Sequence, residues 1–208
     1  MLIDFLGDSI TEGAGASSQS KCFVERVGQI LGCKVINHGI GGTRLAHQKK
    51  RSVDSRYDLD FCYRLKDLDR SADLVFVFGG TNDFGHGDAP IGTKEDTSPD
   101  TFYGAVNFLA ESLLKMYSKD KIAFILPLHR FDEDDKFGDG TKEKPSLILE
   151  GYRNIMMEVL DKYGITYLDF ASNFGSGEGN PLFEDGLHPS DLGHDLLARL
   201  VVDYIQNK

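Results

Sequence analysis

The 208-residue chain contains no tryptophan, only six prolines and only three cysteines. Cys22, Cys33 and Cys62 are odd in number and scattered, so they cannot form a closed disulfide framework, and none has the paired spacing of a zinc or redox site. They read as small core residues and reduced thiols, which points to a cytoplasmic location. Positive charge is scarce: 23 Lys and Arg stand against 33 Asp and Glu, a formal net charge of −10. That balance disfavours nucleic acid and anionic membrane surfaces as main partners. No apolar run approaches the roughly 18 residues of a membrane span. No basic segment followed by an apolar one opens the chain, so no leader is expected ahead of residue 9. His38, His47, His86, His129 and His194 lack ligand spacing. Neither GxGxxG nor a Walker loop is present. A metal and a nucleotide cofactor are therefore not expected.

What the chain does have is an ordinary globular composition, 40% hydrophobic and 27% charged, in a length suited to one α/β domain over residues 1–208. Strand signals near 2–6, 34–37, 73–78, 121–126 and 165–168 alternate with helical patterns near 20–31, 58–68, 101–118, 146–162 and 191–205. Such alternation predicts a parallel sheet with helices on both faces. Right-handed crossovers then predict a three-layer α/β/α sandwich with strand order 2-1-3-4-5.

Four segments carry the residues of a hydroxyl nucleophile and its helpers. Gly7-Asp8-Ser9-Ile10-Thr11 follows the first apolar strand, so Ser9 falls at the carboxyl end of a strand, where open α/β sheets bind ligands. Taken alone, Ser9 could equally be a turn or capping serine. Asn37 to Thr43 holds Gly39, Gly41 and Gly42, which let backbone N–H groups approach a ligand, or simply form a glycine-rich turn. Leu74 to Phe78 runs into Gly79-Gly80-Thr81-Asn82-Asp83. The Asn82 amide there is suited to a developing oxyanion, or else closes an Asn-Asp turn. Near the end, Asp185-Gly186-Leu187-His188-Pro189 places an acid three residues before a loop histidine. Pro189 keeps His188 out of helical conformation, and Ser190 can cap the last helix. His194, within that helix, reads as structural. Asp8 and Asp83 read as supporting groups.

In this order the four blocks resemble the SGNH-hydrolase superfamily, also called GDSL esterases. The resemblance implies a flavodoxin-like fold and acyl-enzyme chemistry without a cofactor. It implies Ser9 as nucleophile, His188 as base and Asp185 as its partner. It also implies an oxyanion hole formed by Ser9, Gly42 and Asn82, with Gly41 replacing Gly42 under a one-residue shift.

Two long loops, 84–100 and 128–145, should rim the site. The second carries Asp132 to Asp135 among mixed charges and reads as a solvated, mildly acidic rim. Neither loop has the contiguous apolar residues of a long-chain tunnel. The expected substrate is a short-chain ester of a polar, uncharged alcohol such as a carbohydrate. A lysophospholipase, an acyl-CoA thioesterase and a non-catalytic carbohydrate-binding module are the alternatives.

Overall fold

A computed structural model describes residues 1–175 and 179–208. Five parallel strands form the sheet: β1 (Leu2–Gly7), β2 (Lys34–Gly39), β3 (Leu74–Phe78), β4 (Ile122–Ile125) and β5 (Thr166–Leu168). Their order is β2-β1-β3-β4-β5, as the alternation predicts. In register, Phe5 sits beside Asn37 on one side and Phe76 on the other, so the two central strands end together at Gly7 and Phe78.

Both faces of the sheet are covered, and strand alternation decides which side chain goes where. Ile3, Phe5, Phe76, Phe78 and Ile125 point to one face, against Val24 and Val27 of α2 (Phe23–Leu31) and Leu197 and Val201 of α8 (Asp191–Gln206). Leu6, Val75, Val77 and Phe124 point to the other, against Val106 and Leu109 of α5 (Phe102–Met116) and Tyr152 and Met156 of α6 (Leu149–Tyr163). Phe5 stacks on Phe76 with ring centroids 5.1 Å apart. The result is the expected three-layer sandwich.

Local chemistry moves several element boundaries. The pattern near 58–68 predicts one helix, but the chain there makes 3-10 turns at Ser55–Asp58 and Leu65–Asp67 around the single turn α3 (Phe61–Arg64). The reason is Arg64, which is 2% exposed. Its guanidinium donates to the carbonyls of Gly7 and His38 and to Thr43 Oγ1. This cation therefore ties the ends of β1 and β2 to the glycine loop. A regular helix through 68 gives way to that geometry, since a buried unpaired carbonyl costs about 1–3 kcal/mol. Two short helices lie outside the helical patterns read from the sequence: α1 (Ser9–Glu12) directly after β1, and α4 (Thr81–His86) directly after β3. A further turn, α7 (Ala171–Phe174), follows β5. Capping residues set the start of two of the longer helices, α5 and α8. Thr101 accepts from Gly104 N–H and Ser190 from Gly193 N–H. Among the described residues no helix is long and apolar enough to cross a membrane.

Candidate active site

The site is assembled from the loops and short helices at the carboxyl ends of β1, β2 and β3. Asp8 caps α1 by accepting the Ile10 N–H at 3.0 Å, and this turns Ser9 out at the end of β1. The last loop comes to meet it. Ser9 Oγ lies 3.0 Å from His188 Nε2, across 179 residues of sequence. The other ring nitrogen, Nδ1, lies 2.7 Å from Asp185 Oδ2. A carboxylate only accepts, so Nδ1 carries the proton and Nε2 presents its lone pair to the serine hydroxyl. Asp185 is held in turn by backbone: its Oδ1 accepts from Leu187 N–H at 3.0 Å and His188 N–H at 2.7 Å. Partial burial raises the affinity of Asp185 for protons. The backbone and ring hydrogen bonds from His188 and that from Leu187 outweigh it, so its pKa falls below the usual carboxylate value.

Glycine at position 15 is what lets the two halves meet. Gly15 has φ +86°, and a side chain there would begin 2.2 Å from the Pro189 carbonyl oxygen and 3.2 Å from the His188 Cβ. His194 secures the same contact from beneath. It is fully buried, accepts the Phe23 N–H at Nδ1 (3.2 Å) and faces the Ala14 carbonyl with Nε2 (3.0 Å). One nitrogen thus ties α8 to the start of α2 and the other to the Ala14–Gly15 turn, a structural role.

The glycine loop after β2 passes against the serine. A side chain at Gly41 would start 3.5 Å from the Ser9 Cβ. The Gly41 N–H already donates to Glu12 Oε2 at 2.8 Å, and Glu12 is also paired with Arg56. Gly42 is different. Its φ is +73°, a side chain there would strike the Tyr57 ring at 2.8 Å, and its N–H has no acceptor among the described residues. Helix α4 clasps this loop. Asn82 Nδ2 donates to the Thr43 carbonyl at 3.0 Å, which leaves its second amide proton uncommitted. Asp83 accepts the N–H groups of Leu45 (2.9 Å) and Ala46 (3.1 Å). Burial pushes the Asp83 carboxyl up to about 6, against the pull of those two N–H groups, and Asp8 rises to about 6 chiefly for the same reason.

The structure thus brings together Ser9, Asp185 and His188, brings the glycine loop against Ser9 through Gly41, and ties Asn82 to that loop through Thr43. Sequence reading passed over Arg64, His86 and Arg130. His86 lies four residues after Asn82, hence on the same face of α4. Its Nδ1 is 3.1 Å from Asp139 Oδ2 and its Nε2 is 3.5 Å from the Gly42 carbonyl. Arg130 is buried, donates to Thr81 and pairs with Asp132. The segment 128–145, read as a solvated rim, therefore folds part of its charge inward, because Thr81 and the Phe84 ring offer Arg130 a berth. Only the i, i+4 spacing of Asn82 and His86 could have flagged any of these residues in advance.

Residues 5–196 match the family model of the GDSL-like lipase/acylhydrolase family. The chain belongs to that family and is an acylhydrolase. Among solved structures, it is similar to a protein from Lactobacillus plantarum, with 26% identity and TM-score 0.80 over 99% of this chain and 96% of that one. It also shares its fold with an acetyl xylan esterase, at 21% identity and TM-score 0.67 over 99% and 100% of the two chains. A lipase/acylhydrolase from Enterococcus faecalis gives 22% identity and TM-score 0.66 over 99% and 95%. No curated protein matches the chain.

Proposed function

We propose that the protein is a serine esterase that removes short acyl groups from a polar alcohol through an acyl-enzyme on Ser9. The observation that carries this is the continuous chain from Ser9 Oγ to His188 Nε2 (3.0 Å) and from His188 Nδ1 to Asp185 (2.7 Å). In this reading His188 takes the hydroxyl proton as Ser9 attacks the ester carbonyl. Asp185 holds the imidazole tautomer and stabilises the imidazolium. The N–H groups of Ser9 and Gly42 and the free proton of Asn82 Nδ2 receive the oxyanion. Imidazolium then protonates the leaving alcohol, and His188 activates a water that hydrolyses the acyl-enzyme. The commitment of the Gly41 N–H to Glu12 favours Gly42 as the backbone donor. The acetyl xylan esterase among the structural neighbours is consistent with a small acyl group.

The test is direct trapping. Incubation with p-nitrophenyl acetate followed by acid quench should leave one acetyl group on the peptide that contains Ser9, detected by mass spectrometry, and none in the Ser9→Ala variant. An acetyl group on another residue, or turnover that survives in Ser9→Ala, would reject the assignment.

A further inference from the structure

A cavity of about 830 Å³ lies between the loops that follow β2, β3 and β4, within the roughly 300–1,000 Å³ range of small-ligand sites. It opens on the same edge of the sheet as Ser9. One wall residue approaches the candidate site: His86 Nε2 is 3.5 Å from the Gly42 carbonyl. Another, Arg44, follows Gly42 by two positions in the chain.

The walls are basic, although the chain carries a net charge of −10. Arg44, Lys49, Lys50, Arg51, Lys142 and Lys144 line the cavity, opposed by Asp88 and Glu143. Lys50 is paired with Glu143. Lys142 is engaged with the Asp83 carbonyl and the Tyr152 hydroxyl. The Asp88 carboxylate accepts the backbone N–H groups of Lys49 and Lys50 at 2.7 and 2.8 Å. The exposed Lys49, Arg51 and Lys144 side chains have no hydrogen-bond or ion-pair partner among the described residues. Arg44 donates through Nη1 to Ser52 Oγ and the Tyr57 carbonyl, while its Nε is buried without an acceptor. Net charge says nothing about such a patch, because a concave basic wall focuses its own potential.

We propose that this cavity is a subsite for a phosphate group on the alcohol portion of the ester, with the acyl carbonyl placed at Ser9. The proposal rests on the esterase reading and reverses the expectation of an uncharged alcohol. A phosphate monoester carries about −1.5 to −2 charges and three acceptor oxygens, which matches several unpaired cations. A single carboxylate would leave most of them unmatched, and a neutral sugar all of them.

The experiment has two arms. Calorimetry with glucose 6-phosphate, glucuronate and glucose reads the cavity without any turnover. Hydrolysis of acetylated glucose 6-phosphate, acetylated glucuronate and acetylated glucose reads the subsite during turnover, each variant being referred to its own rate on the neutral ester. Glucose 6-phosphate should bind more tightly than the other two. The kcat/KM preference for the phosphorylated ester should fall by about tenfold or more in a Lys49→Glu, Arg51→Glu, Lys144→Glu variant, and with added salt in the parent. Equal binding of all three sugars, or a preference untouched by charge reversal, would overturn the proposal. A preference for glucuronate would overturn the phosphate assignment. Failure of the parent to hydrolyse any ester would defeat the esterase reading, while the calorimetric arm would still decide whether the cavity takes phosphate.

Discussion

Two histidine–carboxylate pairs flank the glycine loop. His188 faces Asp185 through Nδ1 at 2.7 Å, and His86 faces Asp139 through Nδ1 at 3.1 Å. The residue types are the same and so is the ring orientation toward the acid. What differs is the atom opposite Nε2. For His188 it is a serine hydroxyl at 3.0 Å, which has a proton to give. For His86 it is the Gly42 carbonyl at 3.5 Å, which can only accept. Burial lowers the pKa of His86, with Arg44 adding to the effect and Asp139 opposing it. A neutral His86 with its proton on Nδ1 thus turns a lone pair toward a carbonyl oxygen, and no proton can pass. An imidazole next to an acid is not in itself a general base; the group on the far side of the ring decides.

The largest effects should come from the first pair. Ser9→Ala should leave a folded protein with background turnover. His188→Ala should lower kcat by roughly 10²–10⁴, the usual contribution of a positioned general base. If His86→Ala cost more than His188→Ala on the same ester, the distinction drawn from the atom opposite Nε2 would collapse.

Next comes Asn82, the proposed oxyanion donor on α4. Asn82→Ala should lower kcat by roughly 10²–10³ with little change in KM, because its donor strengthens mainly as charge develops on the substrate oxygen. The variant also loses the bond to the Thr43 carbonyl. That loss is worth about 1 kcal/mol of net stability and is read separately by urea unfolding. A change confined to KM would make Asn82 a ground-state contact instead.

Most of this arrangement was legible in the chain, for physical reasons that differ from piece to piece. The sheet order follows from the alternation of buried strands and amphipathic helices, which short crossovers allow to close in few ways. Ser9, His188 and Asp185 were legible because nearby residues mark the local backbone: Gly7 ends the apolar strand two residues before Ser9, Pro189 keeps His188 out of helical conformation, and Gly186, with φ +81°, permits the turn between Asp185 and His188. Arg64, His86 and Arg130 were not. Each acts through partners far away in sequence, such as the Gly7 carbonyl 57 residues from Arg64, and no local pattern marks a cation that will be buried by such contacts. The 58–68 helix was misread for the same reason. The basic cavity was hidden because its cations come from two loops far apart in the chain: Arg44, Lys49, Lys50 and Arg51 follow β2, whereas Lys142 and Lys144 lie in 128–145, where acidic residues outnumber basic ones.

A third carboxylate separates the pairs further. Asp8 is 1% exposed, adjoins Ser9 and has no partner for Oδ2 among the described residues. Burial raises it to about 6, while the Ile10 N–H, His188 and Arg64 pull it down. Its folded pKa lies above its unfolded one. The folded state therefore binds more protons between about pH 4 and 6, and stability falls as pH rises through that window. Asp8→Asn keeps an acceptor for the Ile10 N–H and removes the titration. Relative to the parent, the variant should gain stability from about pH 4 to about pH 7, by up to about 3 kcal/mol, measured by urea unfolding at a series of pH values. A difference that does not vary with pH would mean Asp8 is ionised throughout. It would then compete with Asp185 for the imidazolium of His188.

The smallest effect should belong to His86, and it tests the comparison most finely. At about pH 8 the ring is neutral and its contact with the Gly42 carbonyl is long, so His86→Ala should change kcat by no more than about twofold. As pH falls the imidazolium gains a second N–H and can donate to both Asp139 and Gly42, holding the loop more firmly. The ratio of parent to variant kcat should therefore grow toward acid pH, reaching no more than about tenfold, the equivalent of one net hydrogen bond. His86→Gln, which carries an amide donor, should recover part of the acid-side difference. The measurement is the ratio of the two pH profiles, so any pH dependence common to both proteins cancels. A ratio that instead peaks near neutral pH, or a loss of 10² or more at any pH, would mean that His86 moves a proton in the reaction, and the two pairs would have to be read as one relay.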